Sequence, residues 1–394
     1  MRTILKNGRV ITPVRIIENA SVIVENGFIK DIFVGTDYTT VEADQVIDVN
    51  GKYISPGFID IHTHGGGGYD FMDGTVEAII KGAKAHLAFG TTSIVPTTLT
   101  STMDELFSTL DNFREAKDKM IKGPNLLGMH LEGPYFSMEQ RGAQDPKFIK
   151  NPDRNEYLKI LNYSDNIIRW SLAPELEGSM EMARELTKRG ILCSIAHTNA
   201  NYDEVVKGYE NGFTHITHLY SAMSTVHRIN AFRHAGVVES AYLIDDMTVE
   251  IIADGVHLPS SLLKLIYKIK GPDRICLVTD SMRAAGMPEG ESILGSNANG
   301  LKVIVEDGVA KLLDRTSFAG SVATTDRLLR TMINMAEVPL YQAVKMLTLT
   351  PAKIIGVDKR KGSIAQGKDA DIVVFDKDIN ISMVMVGGGI LINE

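Results

Sequence analysis

The sequence predicts an α/β fold: a (β/α)8 TIM-like barrel plus a small β-sandwich domain built from both chain ends. Three observations carry this. Eight short apolar runs recur through the middle of the chain, with helical stretches between most of them, the pattern of parallel strands buried on both faces. Both ends read instead as short strands separated by hairpin-type turns. At 394 residues, the chain has room for a barrel, which takes about 250 residues, and for one further small domain. A doubly wound sheet is the competing arrangement.

Residues 1–54 and 360–394 are assigned to the small domain and 55–359 to the barrel. Asn7-Gly8 and Asn26-Gly27 are hairpin-type dipeptides, and Val22–Val24 and Ile29–Ile32 flank the second. Ala370–Phe375 is a strand, and Met383–Val386 is read as another. Neither end makes a stable sheet alone, so the two pair, with the barrel inserted between them. The barrel strands are Phe58–His62, Ser93–Thr97, Leu127–Leu131, Ile168–Ala173, Cys193–His197, His215–Leu219, Val249–Ala253 and Ile275–Thr279. One helix runs from about Thr102 to Ile121. Thr102 and Glu105 make a capping box, Leu106, Phe107, Leu110 and Phe113 form one apolar stripe, and Gly123-Pro124 ends it.

Composition excludes several classes. Hydrophobic residues are 44% and charged residues 23%, close to globular averages, which argues against a disordered, coiled-coil or collagen-like chain. Acids outnumber bases, 49 to 41, for a formal charge of −8, and no lysine/arginine cluster stands out. A nucleic-acid partner is therefore not expected. Cys193 and Cys276 lie in apolar runs and read as buried thiols, not a disulfide framework. The opening residues hold no apolar stretch of signal-peptide type, and no run nears the ~18 apolar residues of a membrane span. A cytoplasmic protein with no membrane partner is expected.

If the fold is a barrel, the residues closing its strands should be polar, because barrel sites lie at the C-terminal face. The strand ends carry His62, His64, Thr97, Glu132, Glu175, His197, His218, His257 and Asp280. In a strand, residues i and i+2 share a face, so His62 and His64 are placed to grip one ion. Gly65–Gly68 follow and would let the backbone approach a ligand. A carboxylate such as Glu132 beside a histidine cluster is able to bridge two cations. His197 and His218 each close a strand, Asp280 closes the last, and His215 faces away and is given no role. Singly these are weak signals, and Glu175 and Thr97 read equally well as structural. Together the order His-x-His, acid, His, His, Asp describes a two-metal site.

That order resembles the amidohydrolase superfamily. Within it, the chain is most similar to the family of N-acetylglucosamine-6-phosphate deacetylases. The resemblance rests on Pro56-Gly57-Phe58-Ile59-Asp60-Ile61-His62-Thr63-His64-Gly65, His130-Leu131-Glu132-Gly133-Pro134, Arg141-Gly142-Ala143, Ala196-His197-Thr198, Thr217-His218-Leu219-Tyr220, Ala253-Asp254-Gly255-Val256-His257, Val278-Thr279-Asp280-Ser281-Met282, Phe318-Ala319-Gly320-Ser321 and Gly367-Lys368-Asp369-Ala370-Asp371. It runs from about residue 4 to the C-terminus.

The resemblance implies a metal-dependent hydrolase barrel that cleaves the acetamide of N-acetylglucosamine 6-phosphate into glucosamine 6-phosphate and acetate. It implies two divalent metal ions per chain. His62 and His64 would hold the first, near Asp280, and His197 and His218 the second, shared through Glu132. Imidazole and carboxylate ligands favour zinc, iron or manganese. Asp280 would be the acid/base and His257 would help polarise the carbonyl. Ala143, Ser221, Ala222, His227, Arg228, His257, Phe318, Ala319 and Gly320 would contact a small phosphorylated amino sugar. The family's loop after His218 often reaches a neighbouring subunit, which implies a homodimer.

The sequence departs from the family in that loop. Ser221-Ala222-Met223 stands where the family usually has Asn-Ala-Met, and the segment Val226–Gly236 replaces Arg-Glu-Pro-Gly. Arg228, with His227 beside it, takes the arginine role, and Arg233 is the other candidate. An anionic substrate needs a positive patch in a chain of this charge, and His227, Arg228, Arg233 and His234 provide one. The departure leaves open an epimer such as N-acetylgalactosamine 6-phosphate or a different N-acyl amine. A different amidohydrolase reaction is disfavoured by the Glu132 bridge and the Arg141-Gly142-Ala143 loop, and a binding barrel without catalysis by the presence of every ligand.

Overall fold

The computed structural model describes residues 1–35 and 41–393. Eight parallel strands form the barrel: β1 (Phe58–Thr63), β2 (Thr91–Thr98), β3 (Met129–Glu132), β4 (Ile167–Leu172), β5 (Leu192–Ile195), β6 (Phe213–Ile216), β7 (Thr248–Ile251) and β8 (Ile275–Leu277). They pair in chain order. Between the last and first strands, Asp280 N–H donates to the His62 carbonyl at 2.9 Å and His64 N–H to the Ser281 carbonyl at 2.8 Å. The doubly wound alternative is thereby excluded. Each strand is followed by a helix: α1 (Val76–Ala85), α2 (Met103–Lys119), α3 (Arg154–Tyr163), α4 (Ser179–Lys188), α5 (Tyr202–Glu210), α6 (Val237–Leu243), α7 (Ser260–Lys270) and α8 (Thr325–Asn334). The Thr102–Glu105 capping box is present at the start of α2. No helix among the described residues is long and apolar enough to cross a membrane.

The strands are less apolar than their sequences suggest. Trp170 and Leu172, Cys193 and Ile195, Val249 and Ile251, and Ile275 and Leu277 join the large core. The residues that alternate with them include Arg169, Ser171, Ser194 and Glu250, all fully buried and joined by hydrogen bonds. Cys193 and Cys276 are buried and free.

Strands from both chain ends form one eight-stranded sheet. Its order is Gly389–Asn393, Ile381–Val386, Ile372–Phe375, Tyr53–Pro56, Arg2–Ile11, Ile16–Glu25 and Phe28–Val34, with Gln45–Asp48 also beside Arg2–Ile11. The sheet curls until Ile29 N–H reaches the Lys368 carbonyl at 2.8 Å. It encloses a core that draws on both ends, among them Leu5, Val22, Ile54, Ile372 and Met385. Asn26-Gly27 is the expected turn, with φ of 50° and 87°. Asn7-Gly8 is not. It is an irregularity inside Arg2–Ile11, where the register slips on either side of Gly8. Glycine is required there because a Cβ would stand 2.4 Å from Ile54 Cδ1. The sheet rests against the N-terminal ends of β1 and β2. Phe375 packs at 6.2 Å from Phe58, and Asn125 Nδ2 donates to both the Thr92 carbonyl at 2.9 Å and Asp371 Oδ2 at 3.1 Å. The opposite end of the barrel is left open.

Candidate metal centre

The open end gathers the polar strand ends. His62 lies near the end of β1 and His64 just beyond it, and Glu132 closes β3. His197 and His218 lie just beyond β5 and β6, and Asp280 just beyond β8. At these last three residues φ is 48°, 28° and 47°, in the left-handed region that side chains avoid. Such strain persists only where the surroundings hold it, and it clusters at functional sites.

Glu132 is the centre of the cluster. Its Oε1 lies 3.4 Å from His62 Nε2, 3.3 Å from His218 Nε2 and 3.6 Å from His197 Nε2, and its Oε2 lies 3.5 Å from His64 Nε2. Asp280 Oδ1 is 3.4 Å from His62 Nε2 and 3.1 Å from His64 Nε2. All six residues are buried. Two donor groups result, His62–His64–Glu132 and Glu132–His197–His218.

The chemistry of these donors fits a metal. His62 Nε2 is buried with no hydrogen-bond partner, which folded proteins avoid. It faces two carboxylate oxygens at 3.4 Å. Two ligands each about 2.1 Å from a tetrahedral cation stand about 3.4 Å apart. Electrostatics agree. Burial alone would raise the Glu132 carboxyl, but the rings of His62, His197 and His218 hold it well below the usual range. Burial alone would lower His62, but Glu250, Asp280 and Glu132 push it well above its usual value. For Asp280, burial is likewise overcome by His62 and His64, which bring it below the ordinary value.

Neighbouring groups fix how the rings present themselves. His62 Nδ1 sits 2.6 Å from Glu250 Oε1, and His197 Nδ1 sits 2.8 Å from the Gln140 carbonyl. Both partners are acceptors, so the proton stays on Nδ1 and the Nε2 lone pair faces Glu132. His257 Nδ1 is 2.8 Å from Asp254 Oδ2, and Asp254 Oδ1 accepts from the backbone of Val256 and His257. Gln144 accepts from Thr100 N–H on Oε1 at 2.9 Å and donates from Nε2 to Glu132 Oε2 at 2.8 Å.

A cavity of about 260 Å³ opens over the cluster. His64, Glu132, His197, His218, His257 and Asp280 line it, together with the apolar Leu99, Ile252, Leu294 and Phe318. Of the expected substrate residues, Ala143, Ser221, Ala222, His257, Phe318 and Gly320 are on its wall. Ala319 is fully buried, its N–H tied to the Ala310 carbonyl at 3.0 Å.

His227 and Arg228 are not among the lining residues. The segment expected as a loop is a two-stranded hairpin, His227–Ile229 with Phe232–His234, that pairs Arg228 with Arg233 and stacks His227 on His234. Gly65–Gly68 do not line the cavity either; Gly67 and Gly68 N–H donate to the Ala285 and Arg283 carbonyls, both at 2.8 Å. Glu175 brackets the turn after β5, accepting from Asn199 N–H at 2.7 Å. Thr97 accepts from Thr63 N–H at 3.1 Å. Neither faces the cavity.

Sequence reasoning passed over Glu250, Arg169, Asp254 and Gln144. The first two carried a signal, a charged residue in the middle of an apolar strand run. Such residues are almost never fully buried unless paired.

The amidohydrolase family profile matches residues 53–391. The curated N-acetylglucosamine-6-phosphate deacetylase of Bacillus subtilis (strain 168) is 33% identical over 390 residues, 95% of this chain and 96% of its own. The N-acetylgalactosamine-6-phosphate deacetylase of Escherichia coli O157:H7 is 29% identical over 344 residues, 87% of this chain and 89% of its own. Among solved structures, an Asp-to-Ala variant of the Mycobacterium smegmatis N-acetyl-D-glucosamine-6-phosphate deacetylase, in complex with N-acetyl-D-glucosamine-6-phosphate, aligns with a TM-score of 0.90 at 28% identity, covering 100% of both chains.

Proposed function

The chain belongs to the amidohydrolase family, and from that premise we propose that it hydrolyses the acetamide of N-acetylglucosamine 6-phosphate, giving glucosamine 6-phosphate and acetate. The observation that carries this reading is the Glu132-centred double donor set at the floor of a cavity walled by Asp280 and His257. The similarity to deacetylases of hexosamine phosphates over nearly the whole chain supports the substrate class.

His62, His64 and Asp280 would hold one divalent ion and His197 and His218 a second, with Glu132 shared between them. Ions in such a site polarise a carbonyl and lower the pKa of water. Nitrogen and carboxylate ligands suit zinc, iron or manganese better than calcium or magnesium. Asp280 takes a proton from the attacking water and passes it to the amide nitrogen, so that the sugar leaves as a neutral amine. His257, its ring oriented through Nδ1 by Asp254, would polarise the amide oxygen as the imidazolium, the form that carries an N–H on Nε2 as well as on Nδ1.

The phosphate is assigned to the hairpin. Arg228, His227, Arg233 and His234 concentrate positive charge on a chain of net −8, and arginine suits bidentate phosphate contacts. Because the hairpin is absent from the wall of its own cavity and exposes Ile229 and Phe232, we read it as serving the cavity of a second copy in a cytoplasmic homodimer.

The test is acetate release from a panel of N-acetylhexosamines, each with and without the 6-phosphate. Turnover confined to N-acetylglucosamine 6-phosphate is expected. Turnover confined to the galacto epimer would move the substrate, since the segment after His218 departs from the family there. No acetate from any sugar by the metal-loaded protein would overturn the reading.

A further inference from the structure

The two halves of the metal centre differ in what holds their ligands, and the difference traces to Glu250. It lies within β7, fully buried and absent from the cavity wall. Its Oε1 accepts from His62 Nδ1 at 2.6 Å and from the backbone N–H of His218 at 3.1 Å. Its Oε2 accepts from Arg169 Nη1 at 2.6 Å. Arg169 is itself pinned: Nε to Ser194 Oγ at 3.1 Å, Nη1 also to the Ile61 carbonyl at 3.2 Å, and Nη2 to Thr217 Oγ1 at 2.9 Å. The chain of contacts continues through Ser171, 3.0 Å from Thr217 Oγ1 and 2.6 Å from His130 Nε2, to Thr97, 3.2 Å from His130 Nδ1. The barrel interior therefore sets the orientation of the Glu250 carboxylate.

A neutral imidazole carries one N–H. With a carboxylate oxygen at Nδ1, the proton stays there and Nε2 keeps its lone pair. We propose that Glu250, oriented by Arg169, is a positioning residue that locks His62 in the Nδ1–H tautomer, so that occupancy of the His62–His64 half of the centre depends on it while the His197–His218 half does not. The second half is independent because His197 takes its tautomer from the Gln140 carbonyl, and Glu250 meets only the backbone of His218. The inference rests on the two-ion reading above.

An amide at this position reverses the logic. In Glu250→Gln, the NH2 must turn either to Arg169, where donors collide, or to His62, where it demands the Nε2–H tautomer that cannot bind a metal. A second variant, Glu250→Met with Arg169→Met, removes both charges together, which folded proteins tolerate better than an unpaired buried charge.

Metal content is measured by elemental analysis, and affinities by competitive zinc titration, on wild type and both variants, with circular dichroism and melting curves to verify folding. Wild type is expected to hold two ions per chain and each variant one. The weakened site should lose about 10–100-fold in affinity, as for other partners of metal-bound histidines. The imidazole 15N shifts of His62 in the zinc-loaded protein should report a protonated Nδ1 and a metal-bound Nε2 in wild type, and lose that signature in Glu250→Gln. Variants that keep two ions at wild-type affinity, or that lose both equally, would overturn the proposal. A wild type that binds fewer than two ions would overturn it together with the two-ion reading, while the deacetylation itself is tested separately by the acetate assay.

Discussion

Asp280 is the residue on which the proposed chemistry turns. An amine leaves an amide readily only when protonated, and general acid–base groups contribute about 10²–10⁴-fold to rate. Asp280→Asn is therefore expected to lower kcat by that order while at least one ion per chain is retained, as steady-state kinetics and metal analysis would report. Wild-type kcat in that variant would remove Asp280 from the role. A second residue gives a pH signature. His86 is buried, its Nε2 3.0 Å from the Gly65 carbonyl, and burial pulls its pKa from 6.5 to about 4. The folded state binds this proton less tightly than the unfolded state, so stability is full above pH ~6.5 and falls as pH drops toward ~4. About 2.5 pKa units correspond to roughly 3 kcal/mol. Denaturant midpoints across that range should fall in wild type and fall less in His86→Gln. The ligand-type residues at strand ends were legible in the sequence because histidine, aspartate and glutamate are out of place in apolar runs. Asp254 and Gln144 were not, because their roles come from reaching His257 and Glu132 across loops whose paths the sequence does not specify.

At the scale of elements, all eight barrel strands fall within a few residues of the positions expected from sequence, because short apolar runs that recur with helices between them leave little choice. What periodicity hides is the inward face. Alternation in strands such as Ile-Arg-Trp-Ser-Leu places a polar layer inside the barrel, and only the three-dimensional register pairs Arg169 with Glu250. The hairpin at 227–234 escaped for another reason. Its turn is Asn230-Ala231, with φ of 48° and 71°, and alanine is a poor signal for a left-handed turn. If the hairpin carries the phosphate-binding cations, Arg228→Ala should raise KM for the phosphorylated sugar by about 10–100-fold, the loss of one charge-assisted contact of roughly 1.5–3 kcal/mol. The kcat should change little, and unphosphorylated substrate should be unaffected. An unchanged KM would free Arg228 from this role.

At the scale of the whole molecule, the curled sheet stabilises the barrel end remote from the site. Gly57 joins the two. Its N–H donates to the Asp371 carbonyl at 2.9 Å, and a Cβ there would meet Thr92 Oγ1 at 2.1 Å. Gly57→Ala should therefore cost about 1–3 kcal/mol by overpacking, seen as a lower melting temperature with kcat per folded molecule unchanged. That both ends build one sheet followed from sequence, since neither end had strands enough to stand alone. How the sheet curls onto β1 and β2 did not, because Asn125, Asp371 and Phe375 are remote in sequence from their partners. The most direct test of the whole account is turnover of N-acetylglucosamine 6-phosphate as metal is returned to chelator-stripped protein. Acetate release should be absent without metal, rise with added zinc or manganese, and level off at two ions per chain. Full turnover by the stripped protein, or none at any loading, would contradict it.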